Sequence, residues 1–284
     1  MEFPATFRIG LLLAVLAASS PLFAQSSGSE KRQSQPSVPD ARRIVALSIA
    51  ATERSWRARD YYTYTERDDD RRMDALGQIK WENTDVSNMI LVDGARFAQH
   101  IEHNGQVPPI KERKKLDADL DKLKHETPEE KTTRLRQDQE NRSFLEDVLE
   151  AFDFHLVGEQ TIAGRLAYVI QATPHPGYHA GGKYAKIFPR VEGKLWIDEE
   201  NFGWIKVDGQ VTESFSMGLI VARVQQGSHV ILEQTCVGDA VWVPRRLELR
   251  AAARIFFVKS LDIDRIFTYW DYRPGTEQPY SASR

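Results

Sequence analysis

The chain has 284 residues and only one cysteine, Cys236, so no intramolecular disulfide can staple it. Within a run of strand-forming residues, that thiol reads as a small buried apolar side chain rather than a nucleophile, which would need electropositive exposure. Charge of one sign is also lacking. Thirty-eight Lys and Arg stand against 41 Asp and Glu, a net charge of −3. That balance leaves no concentrated positive field for a nucleic-acid backbone. There is no Gly-rich phosphate loop, no nucleophile elbow and no His-Glu-x-x-His helix. His175 and His179 flank Pro176-Gly177, but zinc needs three or four converging ligands and no Cys or acidic partner stands at usable spacing. Asp68-Asp69-Asp70 lacks the glycine and glutamate of a calcium loop and runs straight into Arg71-Arg72. Neither catalysis, a cofactor nor a metal is expected.

Long hydrophobic runs are confined to the start. Arg8 precedes the apolar Ile9 to Ala18, and Ser19 to Ala24 supplies small residues at a cleavage point. Residues 1–24 therefore read as a signal peptide rather than a membrane anchor, since the run is too short for a bilayer core of about 30 Å. No cysteine follows that could carry a lipid. Export to the periplasm or beyond is expected, with 25–36 a polar linker and 37–284 the folded domain.

What is present is mostly strand. From Gly193 to Tyr272 the sequence reads as an antiparallel meander. Gly203 to Val211 alternates with Ile205, Val207 and Val211 on one side and Trp204, Lys206 and Asp208 on the other. Leu219 to Gln225 and His229 to Val237 are expected to pair as a hairpin through Gln226-Gly227-Ser228. Arg246 to Val258 alternates again, while Pro244, which has no N–H to donate, is expected at a strand start, an edge or a bulge. An earlier set of strands covers Asp60 to Glu66, Gln78 to Val86, Met89 to Val92 and Arg96 to His103, with Asp93-Gly94 a strong hairpin signal and Asp68 to Gly77 read as a polar turn. His155 to Glu159 and Leu166 to Gln171 form a further hairpin around Ala163-Gly164, and Thr173 to Arg190 is a loop by its prolines and glycines.

Two helical regions interrupt the strands. Ser37 to Asp40 starts a helix that runs to about Arg59 and is apolar over most of its girth. Lys111 to Phe152 is a charged helical hairpin with a capping box at Thr127-Pro-Glu-Glu130. Its second arm docks through Phe144, Leu145, Val148, Leu149 and Phe152. Because both signs interleave, its charged face reads as solvated.

Gly193-Lys-Leu-Trp-Ile-Asp198, Val241-Trp-Val-Pro244 and Tyr269-Trp-Asp-Tyr272, with the signal peptide and the helix-then-strands order, resemble the bacterial periplasmic lipoprotein-carrier superfamily, the LolA-like and LolB-like group. The resemblance implies an α+β, mainly β fold: a strongly curved, unclosed antiparallel half-barrel covered by helices. It also implies a ligand, the acyl chains of lipids or lipoproteins, and no residue role is carried over with it. Alternation and the apolar helix point independently to a sheet curled around a greasy hollow. Candidate lining residues are Ile49, Trp56, Trp196, Trp204, Trp242, Phe257, Phe267 and Tyr269, although large aromatics in sheets also serve as plain core. The rival expectation is an envelope protein-interaction or stress-sensing module that docks a partner through the helical pair at 111–152. A monomer is expected in either case.

Overall fold

The computed structural model describes residues 40–74, 76–178, 187–217, 222–255 and 259–275. The signal peptide and linker expected at 1–36, and the candidate Phe257, lie outside them.

Helix α1 (Ala41–Arg59) opens the described chain. Its N-cap is Asp40, whose carboxylate accepts from the Arg42 amide, so the acid expected in the first turn sits one step earlier. Three long strands follow, β1 (Tyr62–Met73), β2 (Ile79–Val92) and β3 (Ala95–His103). Asp93 and Gly94 both take positive φ, the backbone that a two-residue hairpin turn demands.

The acidic run expected as a turn is instead strand. Asp68, Asp69 and Asp70 lie inside β1, paired with β2 and with the last strand, and the turn begins only at Asp74. Arginines make this possible. Asp69 is bound by Arg67, while Asp68 meets Arg265 and Asp70 meets Arg72. Neutralised along the strand by Arg67 and Arg72 and across it by Arg265, carboxylates tolerate a half-buried sheet.

The helical insertion has three parts, α2 (Ile110–Lys124), α3 (Pro128–Arg142) and α4 (Phe144–Ala151). Thr127 and Glu130 form the reciprocal capping box at the start of α3. The arm expected to be continuous breaks at Ser143, and α4 alone buries Phe144, Leu145, Val148 and Ala151. None of the described side chains of α3 is buried.

The remaining strands are β4 (Phe152–Ile162), β5 (Arg165–Pro174), β6 (Val191–Asp198), β7 (Trp204–Val211), β8 (Phe215–Met217), β9 (Ala222–Val224), β10 (His229–Val237), β11 (Val241–Ile255) and β12 (Lys259–Pro274). Ten of them form one antiparallel path in the order β3-β2-β1-β12-β11-β10-β7-β6-β5-β4. Its end strands do not pair with each other among the described residues. The hairpin expected at Gln226 to Ser228 is absent, because β9 pairs with β8 and β11 while β10 lies between β7 and β11.

Helix α1 touches β4 and β6 on one flank and β11 on the other. In a flat sheet β4 and β11 would stand about 24 Å apart, twice the width of a helix. Contact with both requires the sheet to curl around the helix. The fold is therefore an unclosed half-barrel with α1 in its hollow. Ile44, Val45, Ile49 and Trp56 of the helix meet Leu195, Val207, Leu247 and Phe267 of the sheet in the main core.

One break in alternation decides which way the tryptophans face. Trp196 pairs with Lys206 but Ile197 pairs with Trp204, so β7 carries an extra residue at Ile205. Trp204 thereby joins Val207 in the main core, and Ile205 moves to a second cluster with Ala167, Trp196 and Trp242. Read as unbroken alternation, the sequence had put Trp204 and Val207 on opposite faces. A second shift lies beside Pro244, where β10 and β11 slip by one residue, one of the positions its missing N–H allows.

Candidate functional site

The hollow is only partly filled. Beyond the last turns of α1, a cavity of about 610 Å³ remains between the sheet and α3. Its apolar wall comes from Trp56 of α1, Met89 and Leu91 of β2, Trp204 of β7, Leu232 of β10 and Leu247 of β11. Tyr64 and Tyr269 face each other across β1 and β12 with ring centroids 5.9 Å apart. The cover is α3, which contributes Arg134, Leu135, Asp138, Gln139 and Arg142.

Polar contacts hold that cover. Arg142 donates to both oxygens of Asp60, at 2.9 and 3.1–3.2 Å, and its guanidinium lies 5.9 Å from the Trp56 ring. At the other end of α3, Arg134 grips Glu126 at 2.8 and 3.0 Å. Burial lifts the Asp138 carboxyl above its ordinary pKa, with Arg142 and Arg134 pulling the other way.

The cavity floor is more charged than the sequence suggested. Arg59 and Arg96 both line it, and Arg96 Nη2 donates to the Arg59 carbonyl at 2.7 Å. The Arg96 guanidinium sits 5.4 Å from the Tyr64 ring. Burial drives the Tyr269 hydroxyl well above its ordinary pKa and raises Tyr272 in the same way, so both are neutral phenols in the physiological range. Tyr272 donates to the Pro244 carbonyl at 2.6 Å, tying the Tyr269-Trp-Asp-Tyr272 stretch to Val241-Trp-Val-Pro244.

Of the candidate lining residues, the structure brings Trp56, Trp204 and Tyr269 to the cavity. Ile49 and Phe267 are buried in the main core, while Trp196 and Trp242 stand in the second cluster. There Trp242 donates to Asn201 Oδ1 at 2.8 Å and packs so closely on Gly203 that a Cβ would fall 1.8 Å from its indole nitrogen. Trp196 donates to Gln160 at 2.8 Å. Asp198 accepts from Arg165 at 2.5 Å and from the Glu200 and Asn201 amides, fixing the turn before β7. These contacts serve the scaffold. Arg59 and Asp60, at a helix end, and Arg96, just after the Asp93-Gly94 turn, were missed from sequence because isolated charges at such places look like ordinary solvated surface.

His175 contacts Asp153 at 2.8 Å, and His179 lies outside the described residues. Among the described residues no group of three or more His, Cys, Asp or Glu could hold a metal, and no helix is long and apolar enough to cross a membrane.

Fold and cavity together define a class, an open curved sheet with a helix in its hollow and a partly vacant interior. No protein-family model and no curated protein matches the chain. Among solved structures it is similar to a DUF1329 family protein from Desulfovibrio piger, at 10% identity and a TM-score of 0.34, over 84% of this chain and 95% of that one. It is also similar to a LolA superfamily protein from Nitrosomonas europaea, at 9% and 0.30, over 85% and 96%. An outer membrane lipoprotein-sorting protein domain from Vibrio parahaemolyticus gives 10% and 0.30, over 83% and 95%. At such identities no residue role passes to this chain.

Proposed function

We propose that this protein is an exported, periplasmic binding protein that shelters the acyl chain of a lipid or lipoprotein beneath α3, with no catalytic step. The supporting observation is the cavity of about 610 Å³ between the curled sheet and its helical cover. Small-molecule sites commonly fall between roughly 300 and 1,000 Å³. Each methylene removed from water contributes about 0.8 kcal/mol, so a wall of Trp56, Trp204, Leu232 and Leu247 is enough for useful affinity. The cover also suits an entry route. With no described side chain of α3 buried and its anchors polar, it can swing aside without uncovering the main core. The periplasmic location rests on the export signal read at 1–24.

Titrating the mature protein with a fluorescent fatty acid tests this. Saturable binding is expected, and Leu247→Trp, which fills the cavity, should weaken it severely. A linear, unsaturable response, together with no lipid mass in native mass spectrometry of protein purified from its own envelope, would refute the reading.

A second reading, an envelope module that docks a protein partner through the helical pair, is favoured by Val107, exposed in the segment before α2, and Ile110, exposed at its first residue. Changing both to Ser should abolish partner capture under that reading and leave acyl binding intact under the first.

A further inference from the structure

The cavity holds a group for which an acyl chain has no use. Arg59, in the last turn of α1, is only 7% exposed and borders the cavity. No described carboxylate forms a salt bridge with it. Its neighbour in sequence, Asp60, is held through both oxygens by Arg142. The groups acting on Arg59 are burial, which disfavours its charge, then Tyr272 and Tyr64, then a second cation, Arg96. Arg96 is itself incompletely bonded. Its Nη2 donates to the Arg59 carbonyl and lies 4.0 Å from Asp60 Oδ1, a carboxylate already held by Arg142, but its Nε is buried and has no acceptor among the described residues.

Three carboxylates also reach the cavity, and each has other engagements. Asp60 holds Arg142 and stands 4.0 Å from Arg96, Asp138 lies in the field of Arg142, Arg134 and Arg96, and Glu66 has a partner of its own. What remains is Arg59, with no salt bridge to a described carboxylate, beside Arg96, which shares Asp60 with Arg142, both bordering a largely apolar cavity. A buried cation without a counter-ion is among the costliest arrangements a fold can keep. An anion entering from outside would relieve it, and the planar fork of a guanidinium fits a carboxylate or a phosphate.

We propose that Arg59 and Arg96 are the head-group subsite of this cavity, and that its ligand is an anionic amphiphile, an acyl chain headed by a carboxylate or a phosphate. This rests on the acyl-binding reading and narrows it: the tail lies along Trp56, Trp204 and Leu247 while the head meets the two arginines.

Displacement of a neutral naphthylamine probe from the delipidated, full mature chain tests it, using hexadecanoate, hexadecyl phosphate, hexadecanol and inorganic phosphate as competitors. Both anionic chains should displace the probe at concentrations at least about tenfold below hexadecanol, the factor supplied by one hydrogen bond to a charged group. Arg59→Met and Arg96→Gln should each bring the anions towards parity with the alcohol. If Arg59→Met does not fold, Arg96→Gln carries the decision. Parity of acid and alcohol in the unaltered protein would overturn the head-group subsite while leaving acyl binding standing. Displacement by none of the three chains would overturn both. Displacement by inorganic phosphate as effective as that by hexadecyl phosphate would show a free-anion site and overturn the amphiphile.

Discussion

Ser48 shows how much one small side chain can carry. Fully buried on α1, its hydroxyl donates to the Val45 carbonyl at 2.8 Å and accepts from the Trp204 indole at 2.9 Å. It thereby fixes a cavity-wall aromatic to the central helix. Ala is the better helix former by a few tenths of a kcal/mol, whereas a buried indole N–H left without an acceptor costs about 1–3 kcal/mol. The second effect wins. Ser48→Ala should lower the unfolding free energy by that margin, read as a lower urea midpoint with an unchanged m-value, and Trp204→Phe should cost less in that background than in the unaltered protein. Additive losses from the two changes would show that the hydrogen bond is not what couples them. Ser55 does similar work nearby, accepting from the Trp242 amide at 3.1 Å. An apolar helix with serines on its buried side is thus tied to the sheet by direction as well as by packing.

At the scale of elements, α3 is the part whose docking should respond to pH. Its Asp138 faces the cavity, with Asp60 adding like charge and Arg142, Arg134 and Arg96 opposing it. Because burial raises the folded pKa above the unfolded value near 3.9, the folded state binds this proton more tightly. The stability it contributes is complete below the unfolded value and disappears as pH rises through the folded one. Hydrogen-exchange protection of α3 amides should therefore increase as pH falls from neutral towards the carboxylate range, and the trend should flatten in Asp138→Asn. An identical pH trend in both proteins would remove Asp138 from the account. Sequence reasoning located this helix well. The Thr127 capping box has a local signature, whereas the break at Ser143 follows from α4 docking on β4 and α1 and leaves little local trace.

For the whole molecule, a ligand that binds only the folded state must stabilise it. Addition of hexadecanoate at about a hundred times its Kd should raise the unfolding free energy by about 2.7 kcal/mol, read as a concentration-dependent rise in Tm. A Tm indifferent to ligand across that range would mean the chain is not held in the folded cavity. The architecture explains why vacancy survives at the end of the hollow under α3. Aromatic and aliphatic side chains of α1, α4 and β4 to β7 fill the hollow, while the flank formed by β1 to β3 brings Tyr64, Glu66 and Arg96 beside Met89 and Leu91 to a more open space.

By itself the sequence determined what depends on neighbours along the chain: the strands by their period of two, the Asp93-Gly94 and Ala163-Gly164 turns by their need for positive φ, the Thr127 cap, and the open antiparallel class of the fold. Only the tertiary structure decided which face each tryptophan takes. A single extra residue at Ile205 reverses the alternation, and whether a strand bulges is settled by its partner's register. The same holds for Asp68 and Asp70, which read as turn residues until Arg265, distant in sequence, meets both from the neighbouring strand, and for Arg59, whose burial beside a vacancy is a property of elements brought together from across the chain.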